Sequence, residues 1–289
     1  MYDDILLPFD GSDGAVEILD HAGDLAHWAD ATVHVLFVAD TTRNSVTVVE
    51  DRTVDSLVRR GEAVVEEARK HLDAPGVACE TDVVQGDPAP TIVEYADRYG
   101  HDLVVMPTHG REGISRYLVG SVTENVVRRS SVPVLTARMR AEERLTFPYG
   151  SVLVPTDGSR AATEAARHGI ELAASLDAPM HLLSVVDDTT LGLDVRSTLS
   201  AGETEQVARE AVEELASEAR ESNVPGVTTH VVHGTPVEEI RNCIAAKNVH
   251  AVVMGTTGRR GSDRVLFGSV AEKTVRSAPV PVVTVGQSS

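Results

Sequence analysis

The feature that most constrains the fold of this chain is a loop that occurs twice. Residues 252–274 read VVMGTTGRRGSDRVLFGSVAEKT, and residues 104–126 read VVMPTHGREGISRYLVGSVTENV. In both, an apolar run gives way to a loop of glycines and arginines, and a Gly-Ser pair then opens a helical pattern. Gly110, Gly113, Gly120 and Ser121 stand against Gly258, Gly261, Gly268 and Ser269, each 148 residues further along. Other segments match in the same order: ILLPFDGS (5–12) with VLVPTDGS (152–159), VLFVAD (35–40) with LLSVVD (182–187), and VVQGDP (83–88) with VVHGTP (231–236). The chain is therefore a duplication. The charged stretch RMRAEERLTFPYG (138–150) holds the boundary, giving a first domain over 1–138, a linker over 139–149 and a second domain over 150–289. Two long copies exclude a solenoid, which needs several short ones.

Within each copy, apolar runs of strand length alternate with helical patterns, which predicts a parallel sheet covered on both faces. Strands are expected near 4–10, 32–38, 78–84, 102–107 and 133–137, and helices near 14–29, 56–72, 89–99 and 120–130. The second copy repeats this with strands near 151–157, 179–186, 227–233, 250–255 and 281–285. Its helices are expected near 160–176, 203–222, 236–247 and 268–277. Pro88 and Pro236 suit a first helical turn, where a missing N–H costs nothing. Each half is thus a doubly wound α/β domain with a five-stranded parallel sheet. Such sheets bind ligands beyond the carboxyl ends of their strands. The glycine loop follows the fourth strand and so lies on that edge. Asp10 and Asp157, read as ending the first strand, share it, as do Val38 and Val185 on the second.

Glycines let a ligand approach the backbone closely, and successive N–H groups can form an anion-holding nest. A helix start adds unsatisfied amides and the positive end of the dipole. Arg111 and Arg259 follow the middle glycine, and Arg116 and Arg264 also match; guanidinium groups there suit phosphate oxygens. The ligand these features favour is a polyphosphate. The plainer alternative is a sharp strand-to-helix turn with solvated arginines. For Asp10 and Asp157, a carboxylate accepting from an adenine amino group or a ribose hydroxyl competes with simple helix capping. Ser12 and Ser159 are expected to serve as the caps.

These residues resemble the universal stress protein family in its ATP-binding branch, whose pattern is G-x2-G-x9-G-[S/T]. The second copy has it complete: Gly255, Gly258, then nine residues to Gly268 and Ser269. The first has Gly110, Gly120 and Ser121, but Pro107 replaces the first glycine. The resemblance spans nearly the whole chain twice and implies a Rossmann-like fold of the adenine nucleotide alpha hydrolase type. It implies an adenine pocket from Asp157, Val185 and Met254, with Pro155 and Thr156 as the lip. The ribose and phosphates would meet Gly255, Gly258, Arg259, Gly268, Ser269 and Val270. The first-copy counterparts are Pro8, Phe9, Asp10, Val38, Met106, Gly110, Arg111, Gly120, Ser121 and Val122. Phe9 in place of Thr156 removes a hydroxyl, and Pro107 removes an N–H, so the second site is expected to bind more tightly. The implied ligand is ATP, AMP or ADP, with any magnesium ion carried in by the phosphates.

The resemblance also implies dimerisation through the last strands. SVPVLTA (131–137) and APVPVVTV (278–285) would otherwise leave open sheet edges, so an intramolecular pseudo-dimer is expected, with further homodimerisation left open. A formal charge of −18, from 44 acidic and 26 basic residues, opposes a nucleic acid or anionic membrane partner. Only Lys70, Lys247 and Lys273 are lysines, leaving 23 arginines. That balance suits a halophile's cytoplasm, where molar salt shortens the Debye length to about 3 Å; an ordinary acidic cytosolic protein is the alternative. With no signal-peptide pattern and no spanning apolar run, a cytoplasmic location is expected.

Several chemistries lack their motifs. There is no GxxxxGK[ST], GxGxxG or GxSxG. His109 faces Thr257 in the other copy, which argues for a loop histidine over a catalytic base. His21, His27 and His34 have no carboxylate or cysteine at ligand spacing, so no metal cage is expected. Cys79 and Cys243 are non-equivalent and are read as buried, unpaired thiols. The reading that results is an adenine-nucleotide-binding stress or signalling protein with at most slow ATP hydrolysis and no catalytic residue assigned. A dedicated nucleotide hydrolase or transferase, and a nucleotide-free scaffold, are the alternatives.

Overall fold

The computed structural model describes residues 1–41, 52–108, 120–138, 145–187, 201–257 and 267–286. The chain divides into two compact units, Met1–Glu143 and Arg144–Ser289. The first contains β1 (Asp4–Pro8), α1 (Asp13–Ala29), β2 (Thr32–Asp40), α2 (Arg52–Asp73), β3 (Cys79–Gly86), α3 (Pro88–Tyr99), β4 (Leu103–Pro107), α4 (Ser121–Arg129) and β5 (Val134–Ala137). The second contains β6 (Val152–Pro155), α5 (Arg160–Ser175), β7 (Met180–Val186), α6 (Ala201–Glu221), β8 (Val227–His233), α7 (Pro236–Lys247), β9 (Ala251–Gly255), α8 (Ser269–Ser277) and β10 (Val282–Val285). The expected strict alternation of strand and helix is present in both units.

In the first unit β1 pairs with β2 and β4, β2 with β3, and β4 with β5, all parallel. In the second, β6 pairs with β7 and β9, β7 with β8, and β9 with β10, again all parallel. Each sheet therefore has the chain-order pattern 3-2-1-4-5. The first two crossovers run one way along the sheet and the last two run the other. Right-handed crossovers then put two helices on each face. Consistent with this, α1 packs beside α2 and α3 beside α4, as α5 does beside α6 and α7 beside α8.

Central strands read as unbroken apolar runs because both their faces are covered. Ile5, Leu6 and Leu7 of β1 are completely buried, as are Val152, Leu153 and Val154 of β6. Every residue of β4 is buried. The helices α3 and α7 begin with Pro88 and Pro236, as expected. They end on equivalent left-handed residues, Gly100 and Asn248, whose N–H groups close onto Ala96 and Ile244.

The neighbours β1 and β4 pair over Ile5–Leu6 against Leu103–Val104 and then part. In the second unit β6 and β9 pair over Val152–Leu153 against Ala251–Val252 before parting. These are the positions where the strand order reverses, so each unit opens a crevice at its topological switch point.

Candidate functional site

In the second unit, β6 ends at Pro155, and Thr156–Ser159 form a tight turn into α5. The turn accounts for its own residues. Thr156 donates its N–H to the carbonyl of Leu183 at 2.8 Å, which carries the chain on alongside β7. Asp157 Oδ1 accepts from the Ser159 N–H at 3.0 Å, and Thr156 Oγ1 accepts from the Gly158 N–H at 3.1 Å. Gly158 has φ +74°, a left-handed conformation that favours glycine. Ser159 is the N-cap of α5, its Oγ accepting from the Ala162 N–H at 3.3 Å.

The first unit repeats the turn. Phe9 donates its N–H to Leu36 at 2.9 Å, Asp10 Oδ1 accepts from Ser12 at 3.0 Å, and Gly11 has φ +69°. Asp10 and Asp157 therefore do not end the first strands. They stand two residues beyond Pro8 and Pro155, because the turn needs a short side chain that can accept from the backbone two residues on. The predicted cap at Ser12 is also corrected. Ser12 occupies the N-cap position but makes no side-chain cap bond, and its hydroxyl is buried without a partner.

The apolar residues fall on the same edge. Met106 and Met254, at 4 % and 5 % exposed, precede the last residues of β4 and β9. Val185 is half-buried one residue before the end of β7. Val38 is also half-buried, but β2 continues two residues past it to Asp40, so it does not end its strand.

The strand ends differ in hydrogen-bonding capacity. Ala251 donates to Ser151 on the β6 side, whereas Val252 and Thr256 donate to Pro281 and Val285 on the β10 side. The alternation turns the N–H of Gly255 toward β6, past the last β6–β9 pair and so into the crevice. Pro107 occupies this position in the first unit and has no N–H to offer. Its carbonyl accepts from Thr123 Oγ1 at 2.9 Å, a bond that sequence reasoning missed. The counterpart of Thr123 is Ala271, which has no hydroxyl.

The glycine loop returns to the strand it leaves. The Gly268 N–H donates to the Thr256 carbonyl at 2.7 Å, and Gly120 donates to Thr108 at 2.7 Å. Gly120 and Gly268 are the N-caps of α4 and α8, and Ser121 and Ser269 are their exposed first residues. Val122 and Val270 follow and are half-buried. The structure thus assembles Pro155, Thr156, Asp157, Val185, Met254, Gly255, Gly268, Ser269 and Val270 along one edge of the second unit. Their counterparts Pro8, Phe9, Asp10, Val38, Met106, Gly120, Ser121 and Val122 lie along the same edge of the first. Gly110, Arg111, Gly113, Arg116, Gly258, Arg259, Gly261, Arg264 and His109 lie outside the described residues.

Other polar groups gather at the opposite, amino-terminal end of the strands. His34 Nε2 lies 2.7 Å from Asp4 Oδ1, and its Nδ1 lies 3.6 Å from Glu80 Oε2. His34 therefore has carboxylate partners after all, brought together by the register of β1, β2 and β3 and invisible to local spacing. In the second unit His181 Nδ1 stands 3.2 Å from His230 Nε2. Burial, the neighbouring His230 and Lys247 lower the His181 pKa. Cys79 and Cys243 are free, as expected, but half-buried rather than fully buried. Burial pushes the Cys79 thiol up to about 11. Among the described residues no group of three or more His, Cys, Asp or Glu could hold a metal ion, and no helix is long and apolar enough to cross a membrane.

A doubly wound sheet with two helix starts facing its switch-point crevice defines the class of fold. The Universal stress protein family matches residues 1–138 and again 148–286, and the chain belongs to that family. Universal stress protein Rv2005c of Mycobacterium tuberculosis is 31 % identical over 221 residues, which cover 73 % of this chain and 70 % of that one. Universal stress protein MJ0531 of Methanocaldococcus jannaschii is 34 % identical over 155 residues, covering 53 % of this chain and 89 % of its own. The crystal structure of a universal stress protein from Archaeoglobus fulgidus superposes with a TM-score of 0.75 at 23 % identity. It covers 99 % of this chain and 96 % of its own, and at that identity the likeness supports the tandem fold alone.

Proposed function

We propose that the second unit binds an adenine nucleotide, ATP by preference, and that the protein acts as a nucleotide-binding stress-response protein with at most slow hydrolysis. The observation that carries this reading is the backbone at Gly268. Its φ of −64° and ψ of 138° are open to any residue, and Gly120 matches it at −58° and 141°. The chain conformation does not require glycine at either N-cap. Serine, aspartate or asparagine would cap the helix better. A glycine kept there in both units is explained by a ligand that needs the space a side chain would fill.

Donors and apolar surface lie beside that space. The first-turn amides of Ser269, Val270 and Ala271 precede the first intrahelical bond, which Glu272 makes to Gly268. These orphan donors, with the helix dipole, suit phosphate oxygens. Gly255 adds an N–H at the strand end, and Met254 and Val185 supply apolar surface suited to a base. Arg259 would approach the phosphates. A magnesium ion would be held chiefly by the phosphates themselves. The first unit carries the same frame with Pro107 and Phe9 in place of Gly255 and Thr156, and binds more weakly.

The apolar edges at 131–137 and 278–285 are proposed to pair, within one chain or between two copies. Nucleotide analysis of freshly purified, acid-denatured protein tests the main reading. Bound ATP, ADP or AMP is expected, and protein free of nucleotide that takes up none on incubation with ATP would overturn it.

A further inference from the structure

A Cβ built at Gly255 would lie 2.8 Å from the carbonyl oxygen of Ala161, 2.9 Å from its carbonyl carbon and 3.2 Å from the Ala162 nitrogen. All three are backbone atoms of the first turn of α5, which cannot swing aside as a flexible side chain can. Ala161 is itself only 1 % exposed. Glycine at the end of β9 therefore lets the start of α5 seat directly on the strand. The seated turn is the one that Ser159 caps through the Ala162 N–H.

The first unit carries the alternative set of residues. Pro107 brings a Cβ and a ring to the equivalent strand end, and Gly14 stands where the second unit has Ala161, each the second residue of its helix. There the cap is missing, with the Ser12 hydroxyl buried and unpartnered. The preceding turns share one bond, Asp10 and Asp157 holding Ser12 and Ser159 at the same 3.0 Å, while the Thr156–Gly158 bond has no counterpart at Phe9. The units also differ where the strand-end residue meets the helix start.

We propose that Gly255 is a positioning residue: it lets the backbone at Ala161–Ala162 seat on the end of β9 and so holds the mouth of the second crevice in its ligand-ready shape. Pro107, which brings a Cβ to the equivalent strand end, is the substitute, compatible with the fold but not with the cap. In this role Gly255 acts through the helix start, apart from the N–H it would offer a ligand. The link to nucleotide affinity rests on the proposed function; the seating itself does not.

Amide hydrogen exchange and calorimetric titration with ATP, both on the full chain, test the proposal. Gly255→Ala should speed exchange at the Ala162 amide about five-fold, the worth of a typical cap. It should also weaken ATP binding about ten-fold, the low end for one lost bond to a charged oxygen. In the first unit, Pro107→Gly with Gly14→Ala should create a cap and slow exchange at Ala15. Unchanged Ala162 exchange in Gly255→Ala would overturn the proposal. Should Gly255→Ala fail to fold, the first-unit double variant decides, and no gain of protection at Ala15 counts against the proposal. Wild-type protein that binds no ATP would remove the proposed function while leaving the exchange arms to judge the seating.

Discussion

The N–H of Gly268 is bonded to the carbonyl of Thr256 at 2.7 Å. That bond fixes where the glycine loop re-enters the fold. It also takes the Gly268 amide away from any ligand and leaves the next amides, beginning with Ser269, as the donors of the helix start.

Ser269→Pro is therefore a selective probe. Proline is well tolerated at the first helical position, where it deletes an N–H without breaking the helix. The preceding Gly268 already has the extended conformation that proline favours before it. Losing one bond to a phosphate oxygen should weaken ATP binding about 10- to 150-fold and leave the melting temperature nearly unchanged. Ser269→Ala separates the hydroxyl from the amide. Equal affinity in Ser269→Pro and wild type would mean that the helix start does not hold the phosphates.

The two serine caps should respond differently to truncation. Ser159→Ala removes a side-chain cap bond and is expected to cost about 1 kcal/mol. Ser12→Ala removes a buried hydroxyl that bonds to nothing, so it should be neutral or slightly stabilising. Denaturant titration of both variants measures the difference, and equal losses would contradict the asymmetry.

Two equivalent histidines predict acid sensitivity. Burial lowers the pKa of His21 on α1 to about 4, and that of its counterpart His168 on α5 to about 4. Above the unfolded value of about 6.5, both are neutral in either state and nothing is lost. As pH falls from there toward 4, the unfolded chain takes up protons that the folded chain refuses, so stability declines. The loss approaches about 3 kcal/mol for each histidine by pH 4. Replacing both with glutamine should flatten the stability curve between pH 6.5 and 4. An unchanged slope would show that these two groups do not set it.

Much of the fold could be read from the repeat, because fully covered parallel strands leave apolar runs that alternate with helical patterns. The β8 strand falls on Val227–His233 and α7 on Pro236–Lys247, as expected. Strand ends were harder. Proline and the Asp-Gly-Ser turn stop β1 at Pro8, although the apolar pattern carries the eye to Asp10. Contacts between elements distant in the chain could not be read. The His34–Asp4 pair depends on β1–β2 register, and the Thr123–Pro107 bond spans the whole glycine loop. The press of Gly255 on Ala161 is set by helix seating, so a glycine that looked reserved for a ligand also has a packing cause. The identical serines at 12 and 159 gave no hint that one of them caps and the other does not.

The charge of −18 makes stability a function of salt. Self-repulsion is screened as the Debye length falls from about 10 Å at 0.1 M to about 3 Å at 1 M. Thermal melting should therefore shift upward between these concentrations. An equal or higher midpoint at low salt would remove the case for adaptation to a saline cytoplasm.

The central claim is that nucleotide binds at the glycine-rich edge and more tightly in the second unit. Calorimetric titration with ATP of the wild type, Gly268→Val and Gly120→Val tests it most directly. Both glycines have φ and ψ that valine can adopt, so each variant places a side chain where the ligand is proposed to sit without needing a new backbone conformation. The account predicts that Gly268→Val abolishes the tighter binding and that Gly120→Val retains it. Loss of the tighter binding in Gly120→Val, with Gly268→Val unaffected, would contradict it.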